Sequence, residues 1–184
     1  YGRREMFPYS DIDVAVLTPE GLSQADQTAI AEFVTLLWSL GLTVGTNVRT
    51  KAETLKITAS DITAATAFLE ARWIYGNKAL FKDTHDTFLQ ELDSRMFFPS
   101  KMLEMRQRHQ KYGDTPYALE PNIKEGLGGL RDLQVFLWYA KAAGYGTSWK
   151  EMAQAGLITG TEAYHFTQCT HLSLIHISEP TRPY

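Results

Sequence analysis

Two aspartates separated by a single isoleucine run straight into an unbroken apolar stretch. Ser10-Asp11-Ile12-Asp13 is followed by Val14-Ala15-Val16-Leu17. The β-branched, apolar run reads as a buried strand. Side chains alternate along a strand, so Asp11 and Asp13 leave from one face, roughly 6–7 Å apart along the backbone. Ile12 and Val14 leave from the other face, into a core. Two carboxylates held in this way repel each other, and a bound cation relieves the repulsion. Mg²⁺ suits such a pair, because it is typically held by one or two carboxylates together with substrate oxygens. A paired carboxylate site can orient an attacking group and stabilise developing charge in phosphoryl chemistry. Taken alone, Asp-x-Asp fits a solvated strand end at least as well.

The next segments alternate in character. Thr18-Pro19-Glu20-Gly21 is a turn, and Ser23 with Asp26 can cap a helix. Ile30, Phe33, Val34, Leu37 and Trp38 recur at helical spacing and are expected to pack into a core, with Gly41 ending the helix. Leu42 to Val48 reads as a second strand beside the first, with Arg49 and Lys51 as cations at its exit. Ser60-Asp61 starts a helix carrying Ile62, Ala65 and Leu69, which runs into Glu70-Ala71-Arg72. An amphipathic helix is expected over Lys78–Met96, with the dipeptide His85-Asp86 on its surface. A second is expected over Ser100–Tyr112. Lys101, Arg106, Arg108, His109 and Lys111 make that segment basic. They form either a solvated face or a positive wall for phosphates or an acidic partner.

The most specific stretch is Asn122-Ile123-Lys124-Glu125-Gly126-Leu127-Gly128-Gly129-Leu130-Arg131-Asp132. Its glycines describe an irregular loop entering a helix that bears Leu130, Leu133 and Leu137. Backbone N–H groups at a glycine-rich helix start can bind an anion, and Lys124 and Arg131 add positive charge. A tight helix–helix connection has the same composition. Ser148-Trp149-Lys150-Glu151 is a capping box for a short helix, and Thr161-Glu162 opens the last one.

Two of these stretches carry a resemblance. Gly2-Arg3, Glu5, Pro8 and Ser10-Asp11-Ile12-Asp13 resemble the nucleotidyltransferase signature of the bacterial PII uridylyltransferase/uridylyl-removing enzymes. That family has a Gly-Gly pair immediately upstream, before the point where this chain begins, so the chain is expected to be a fragment. Asn122 to Asp132 resembles the family motif that opens a helical segment after the nucleotidyltransferase domain. Leu127 departs from it, standing where many relatives have proline. The two motifs occur in the family's order, and the resemblance runs over residues 1–171.

The resemblance implies an α+β fold: a polymerase-β-like nucleotidyltransferase mixed sheet flanked by helices over residues 1–96, then a helical segment over 97–171. It implies transfer of UMP from UTP to a tyrosine of the PII signalling protein, releasing pyrophosphate. Asp11 and Asp13 would hold Mg²⁺, and Gly2, Arg3 and Ser10 would position phosphates. Lys124 and Arg131 would act at the edge of the helical segment. Leu69-Glu70-Ala71-Arg72 is similar to the family segment that supplies a third carboxylate from a neighbouring strand, which would be Glu70. UMP removal belongs to an HD domain and glutamine sensing to ACT domains, neither expected within these residues. Two other readings stay open. One is a different nucleotidyltransferase of the same superfamily, and the other is a nucleotide-binding module without chemistry.

Composition narrows the partners. The formal net charge is −3 and no long basic run occurs, which disfavours a general nucleic-acid binder. A single cysteine, Cys169, excludes an internal disulfide framework and fits a reducing cytoplasm. No signal peptide or membrane-spanning segment is expected. From Leu172 to Tyr184 the pattern changes to a proline-bearing tail, expected to be non-native and translated from sequencing-library adapter.

Overall fold

The structure is a computed structural model that describes residues 11–41, 43–117 and 119–178. The chain is α+β, mostly helical, and divides into two compact units, Tyr1–Glu91 and Leu92–Tyr184.

In the first unit, β1 (Ile12–Thr18) is followed by α1 (Gln24–Ser39) and β2 (Val44–Thr50). The strands pair in parallel, Ile12 opposite Val44 through Thr18 opposite Thr50. The expected mixed sheet is therefore corrected: among the described residues it is a purely parallel pair. The chain has no room for a further strand directly after β2, because Thr50 caps a helix at once. Its hydroxyl accepts from Glu53 N, and the Glu53 carboxylate accepts from Thr50 N at 2.9 Å, a complete capping box. The resulting α2 (Lys51–Ser60) was not expected from the sequence. Lys51, at the exit of β2, pairs with Asp83 at 2.7 Å.

Asp61 then caps α3 (Ile62–Leu69), accepting from Thr63 N at 2.7 Å, and α4 (Lys78–Glu91) completes the unit. The core lies among α2, α3 and α4. Leu69 and Thr84 are 0% exposed, and Phe68 meets Phe88 edge to face at 5.2 Å. Buried Thr84 satisfies its hydroxyl by donating to Leu80 O at 2.8 Å. The apolar stripe of α1 departs from expectation: no residue of that helix is buried, and Phe33 is 44% exposed. A sheet of two strands is too narrow to cover a helix of 16 residues.

In the second unit, α5 (Ser94–Lys111) starts six residues earlier than expected, and α4 stops at Glu91 instead of reaching Met96. The cause is Asp93, whose carboxylate accepts from Arg95 N at 2.9 Å and opens a new helix. Pro99 sits inside that helix. Next come α6 (Leu130–Ala142), α7 (Trp149–Gln154) and α8 (Gly160–Ser178). Ala140, Trp149, Met152 and Ala163 form a core against which Leu133, Leu137 and Phe166 pack. α8 passes through Leu172 without a break to Ser178, the last described residue. No helix among the described residues is long and apolar enough to cross a membrane.

Candidate functional site

Burial alternates along the start of β1. Asp11, Asp13 and Ala15 are exposed, while Ile12 and Val14 are half-buried. The two carboxylates therefore share the solvent face of the sheet, as a two-residue period requires. Asp11 immediately precedes the strand, and the strand is anchored there by Ile12 N donating to Thr43 O at 2.9 Å.

Gly45 is the residue paired with Asp13 across the sheet. A methyl group on Gly45 would come within 2.6 Å of Asp13 Oδ1. The Asp13 side chain thus leans sideways over β2, into the space a larger residue would fill. Neither carboxylate has an ion-pair partner among the described residues. Two hard oxygen donors open to solvent fit a Mg²⁺ ion that completes its shell with substrate oxygens and water.

The other expected members of this site are differently placed. Gly2, Arg3 and Ser10 lie outside the described residues. Glu70 is not on a strand; it is the half-buried C-cap of α3, in the right-handed helical region. Among the described residues no three His, Cys, Asp or Glu side chains gather to hold a metal ion. Shallow grooves on this unit, one lined by Val48, Arg49, Glu53, Lys56, Ile57 and Ser60, include neither Asp11 nor Asp13.

In the second unit the glycine loop is closed on itself. Asn122 Oδ1 accepts from Lys124 N and Glu125 N at 3.1 and 2.8 Å, an Asx turn. Leu130 N and Arg131 N donate back to Ile123 O and Lys124 O at 2.8 and 2.9 Å. A Cβ on Gly126 would meet Asn122 O at 2.7 Å, and one on Gly129 would meet Ile123 O at 2.6 Å. Both obstacles are backbone, which cannot step aside. Gly128, at φ 73°, takes the left-handed conformation.

The anion held by this loop is its own Asp132. That carboxylate accepts from Gly128 N at 2.8 Å, from Arg108 Nη2 at 2.6 Å and from His109 Nε2 at 2.9 Å. Burial alone would raise its pKa, but the hydrogen bonds from Arg108, His109 and Gly128 outweigh it and hold the group below its ordinary value. Arg108 also donates to Glu125 O at 2.8 Å. The Arg131 guanidinium is engaged by Gln134 Oε1 at 2.8 Å and Glu125 Oε1 at 3.3 Å, and lies 5.7 Å from the Trp138 ring. Lys124, by contrast, is exposed.

A family model described as GlnD PII-uridylyltransferase matches residues 96–174, a span that contains this whole loop. The chain is 52% identical over 163 residues to the bifunctional uridylyltransferase/uridylyl-removing enzyme of Bordetella parapertussis, covering 89% of this chain and 19% of the relative. The chain belongs to the bifunctional uridylyltransferase/uridylyl-removing enzyme family. The relative in Burkholderia orbicola is 51% identical over the same length, with the same coverage. That of Cupriavidus metallidurans is 50% identical over 168 residues, covering 91% of this chain and 20% of the relative. The chain thus spans about a fifth of the length of these uridylyltransferase/uridylyl-removing enzymes. No solved structure matches it.

Within this family member, the basic stretch of α5 is partly a buried one. Lys101, Arg108 and His109 turn inward, while Arg106 and Lys111 stay exposed. Lys101 is 2% exposed, lies 4.6 Å from the Trp138 ring and pairs with Glu104 at 2.8 Å. Burial lowers its pKa despite the Glu104 carboxylate. Positions 101, 108 and 109 fall on one face of a helix, but spacing alone does not show whether that face is the buried one. His85 was likewise expected on a helix surface. Its ring instead stacks on Phe81 at 5.6 Å and lies 5.7 Å from Phe68, while Asp86 is exposed.

Proposed function

We propose that this protein is the nucleotidyl-transferring part of a uridylyltransferase, which moves UMP from UTP to a tyrosine hydroxyl of a PII signalling protein. The observation that carries the reading is the placement of Asp11 and Asp13 on one solvent-facing side of β1, beside the open space at Gly45. Relatives named for uridylyl transfer and removal, and a family model described as a PII-uridylyltransferase, support this choice of substrates. A polymerase-β-like nucleotidyltransferase fold is part of the same proposal, supported by a parallel β–α–β start with acidic residues at the head of the first strand.

In this reading the tyrosyl oxygen attacks the α-phosphorus of UTP. The bond to the bridging oxygen of the β-phosphate breaks, pyrophosphate leaves, and the tyrosyl proton passes to solvent or a carboxylate. Mg²⁺ held by Asp11 and Asp13 would supply charge stabilisation at the transferring phosphoryl group. The two aspartates fix where the triphosphate lies relative to the sheet. Gly2, Arg3 and Ser10 are assigned to its phosphates. Arg131 and Asp132 are assigned to holding the loop, since their polar atoms are engaged by Glu125 and Gly128 of the loop and by Arg108, His109 and Gln134 of the flanking helices.

The test is to incubate the protein, and a full-length relative, with α-labelled UTP, Mg²⁺ and a PII protein. Label on the PII tyrosine supports the proposal. Label on RNA added in parallel points to another nucleotidyltransferase. UTP binding without transfer by the full-length relative would overturn the enzymatic reading.

A further inference from the structure

The residue that sets the position of the Asp13 carboxylate lies on the opposite strand. We infer that Gly45 is a positioning residue for the carboxylate pair, and that its missing side chain is a requirement of the site rather than of the backbone. The inference rests on the proposal that Asp11 and Asp13 hold a divalent cation.

Glycine is ordinarily selected where φ is positive or where backbones come close. Gly45 meets neither condition. It is not among the glycines with positive φ, and it lies inside a regular strand whose register is unbroken on both sides. Glycine in a strand interior costs stability, because it loses more chain entropy on folding and packs nothing. The atoms a Cβ would meet there are Asp13 Oδ1 at 2.6 Å and Asp13 Cγ at 3.8 Å, both belonging to the carboxylate and neither to backbone. The loop glycines 126 and 129 differ, since a Cβ there would strike carbonyl oxygens.

The physical consequence follows from the lean of Asp13. Its carboxylate extends sideways over β2 and out of the line of β1, where Asp11 is the next residue on the same face. A methyl group at position 45 would return it to that line and change the spacing of the two acidic groups. Because the obstructing atoms end a flexible side chain, the strand itself has no reason to shift. A substitution at Gly45 should therefore remove metal binding and leave the fold.

The experiment is a Mn²⁺ titration of the chain followed by paramagnetic broadening of backbone amide signals, with Mn²⁺ alone as the probe. The wild type should broaden selectively around residues 11–15 and 45–47. Gly45→Ala should need about ten- to a hundredfold more Mn²⁺ for the same broadening, the usual effect of disturbing the support of a metal ligand. Its spectrum elsewhere and its melting temperature should match the wild type. Asn47→Ala, two residues further along the same strand, should titrate as wild type. Loss of binding in Asp13→Asn but none in Gly45→Ala would overturn the positioning role and leave the carboxylate site standing. An Asp13→Asn titration identical to wild type would overturn the site itself, and the positioning role with it. An unfolded Gly45→Ala would overturn the claim that the side chain at 45 meets only a carboxylate.

Discussion

Arg108 on α5 and Asp132 on α6 meet at 2.6 Å, with only 11% and 15% of their side chains exposed. This contact ties the second helical motif of the sequence to a helix 24 residues away. Replacing the carboxylate by an amide would remove the charge facing the Arg108 guanidinium and leave one accepting oxygen for three donors, Arg108, His109 and Gly128 N. Asp132→Asn should therefore destabilise the protein by about 3 kcal/mol, the scale for breaking one side of a buried pair. Urea denaturation followed by tryptophan fluorescence reads this directly; a loss below about 0.5 kcal/mol would contradict the buried-pair description.

The same carboxylate makes stability depend on acid. Its pKa is lowered in the folded state relative to the ordinary value of 3.8. The native state therefore holds the proton less readily than the unfolded chain, and the contribution is fully present above about pH 4. It is lost as pH falls through the lowered folded-state value. The urea midpoint should drop as pH falls below about 4, and Asp132→Asn should flatten that part of the curve.

Asp13 is exposed, so replacing it removes a charge and not core volume. Under the proposed function, Asp13→Asn carried in a full-length protein should lower uridylyl transfer by roughly two to three orders of magnitude, as removal of one charge-stabilising group does. The melting curve should stay put, as for surface substitutions generally. Parallel assays of label incorporation and thermal melting test both halves, and near-normal turnover would sink the metal assignment.

Burial separates two apolar positions that look alike in sequence. Leu69 is fully enclosed, whereas Phe33 is 44% exposed on α1. Leu69→Ala should cost about 2–5 kcal/mol by cavity formation. Phe33→Ala should cost under about 1 kcal/mol, because much of its ring already faces water. Equal losses in chemical denaturation would mean that α1 is covered in solution.

Legibility followed the range of the interactions. β1, the Ser23 and Asp61 caps and the loop ending at Asp132 were readable because each depends on neighbours a few residues apart. α2 was missed because Lys51–Ser60 has almost no apolar periodicity, and Thr50 with Glu53 starts it from the cap alone. The break at Leu92-Asp93 was hidden beneath a continuous apolar pattern, where a single carboxylate decided the boundary. The inward turn of Lys101, Arg108 and His109 depends on Trp138 and Asp132, which no local window contains. The sideways lean of Asp13 needs the strand register, so Gly45 carried no visible signal until Asp13 was seen opposite it.

That register has a consequence for quality control of the folded chain. Sliding β2 by one position against β1 would bring Val44 or Thr46 beneath Asp13, and sliding it by two would bring Thr43 or Asn47. Each of these carries a side chain where the carboxylate now rests. If the carboxylate pair holds a cation as proposed, a molecule with misaligned strands could keep all of its helices and still be blind to that cation, so metal affinity would double as a proofreader of strand alignment.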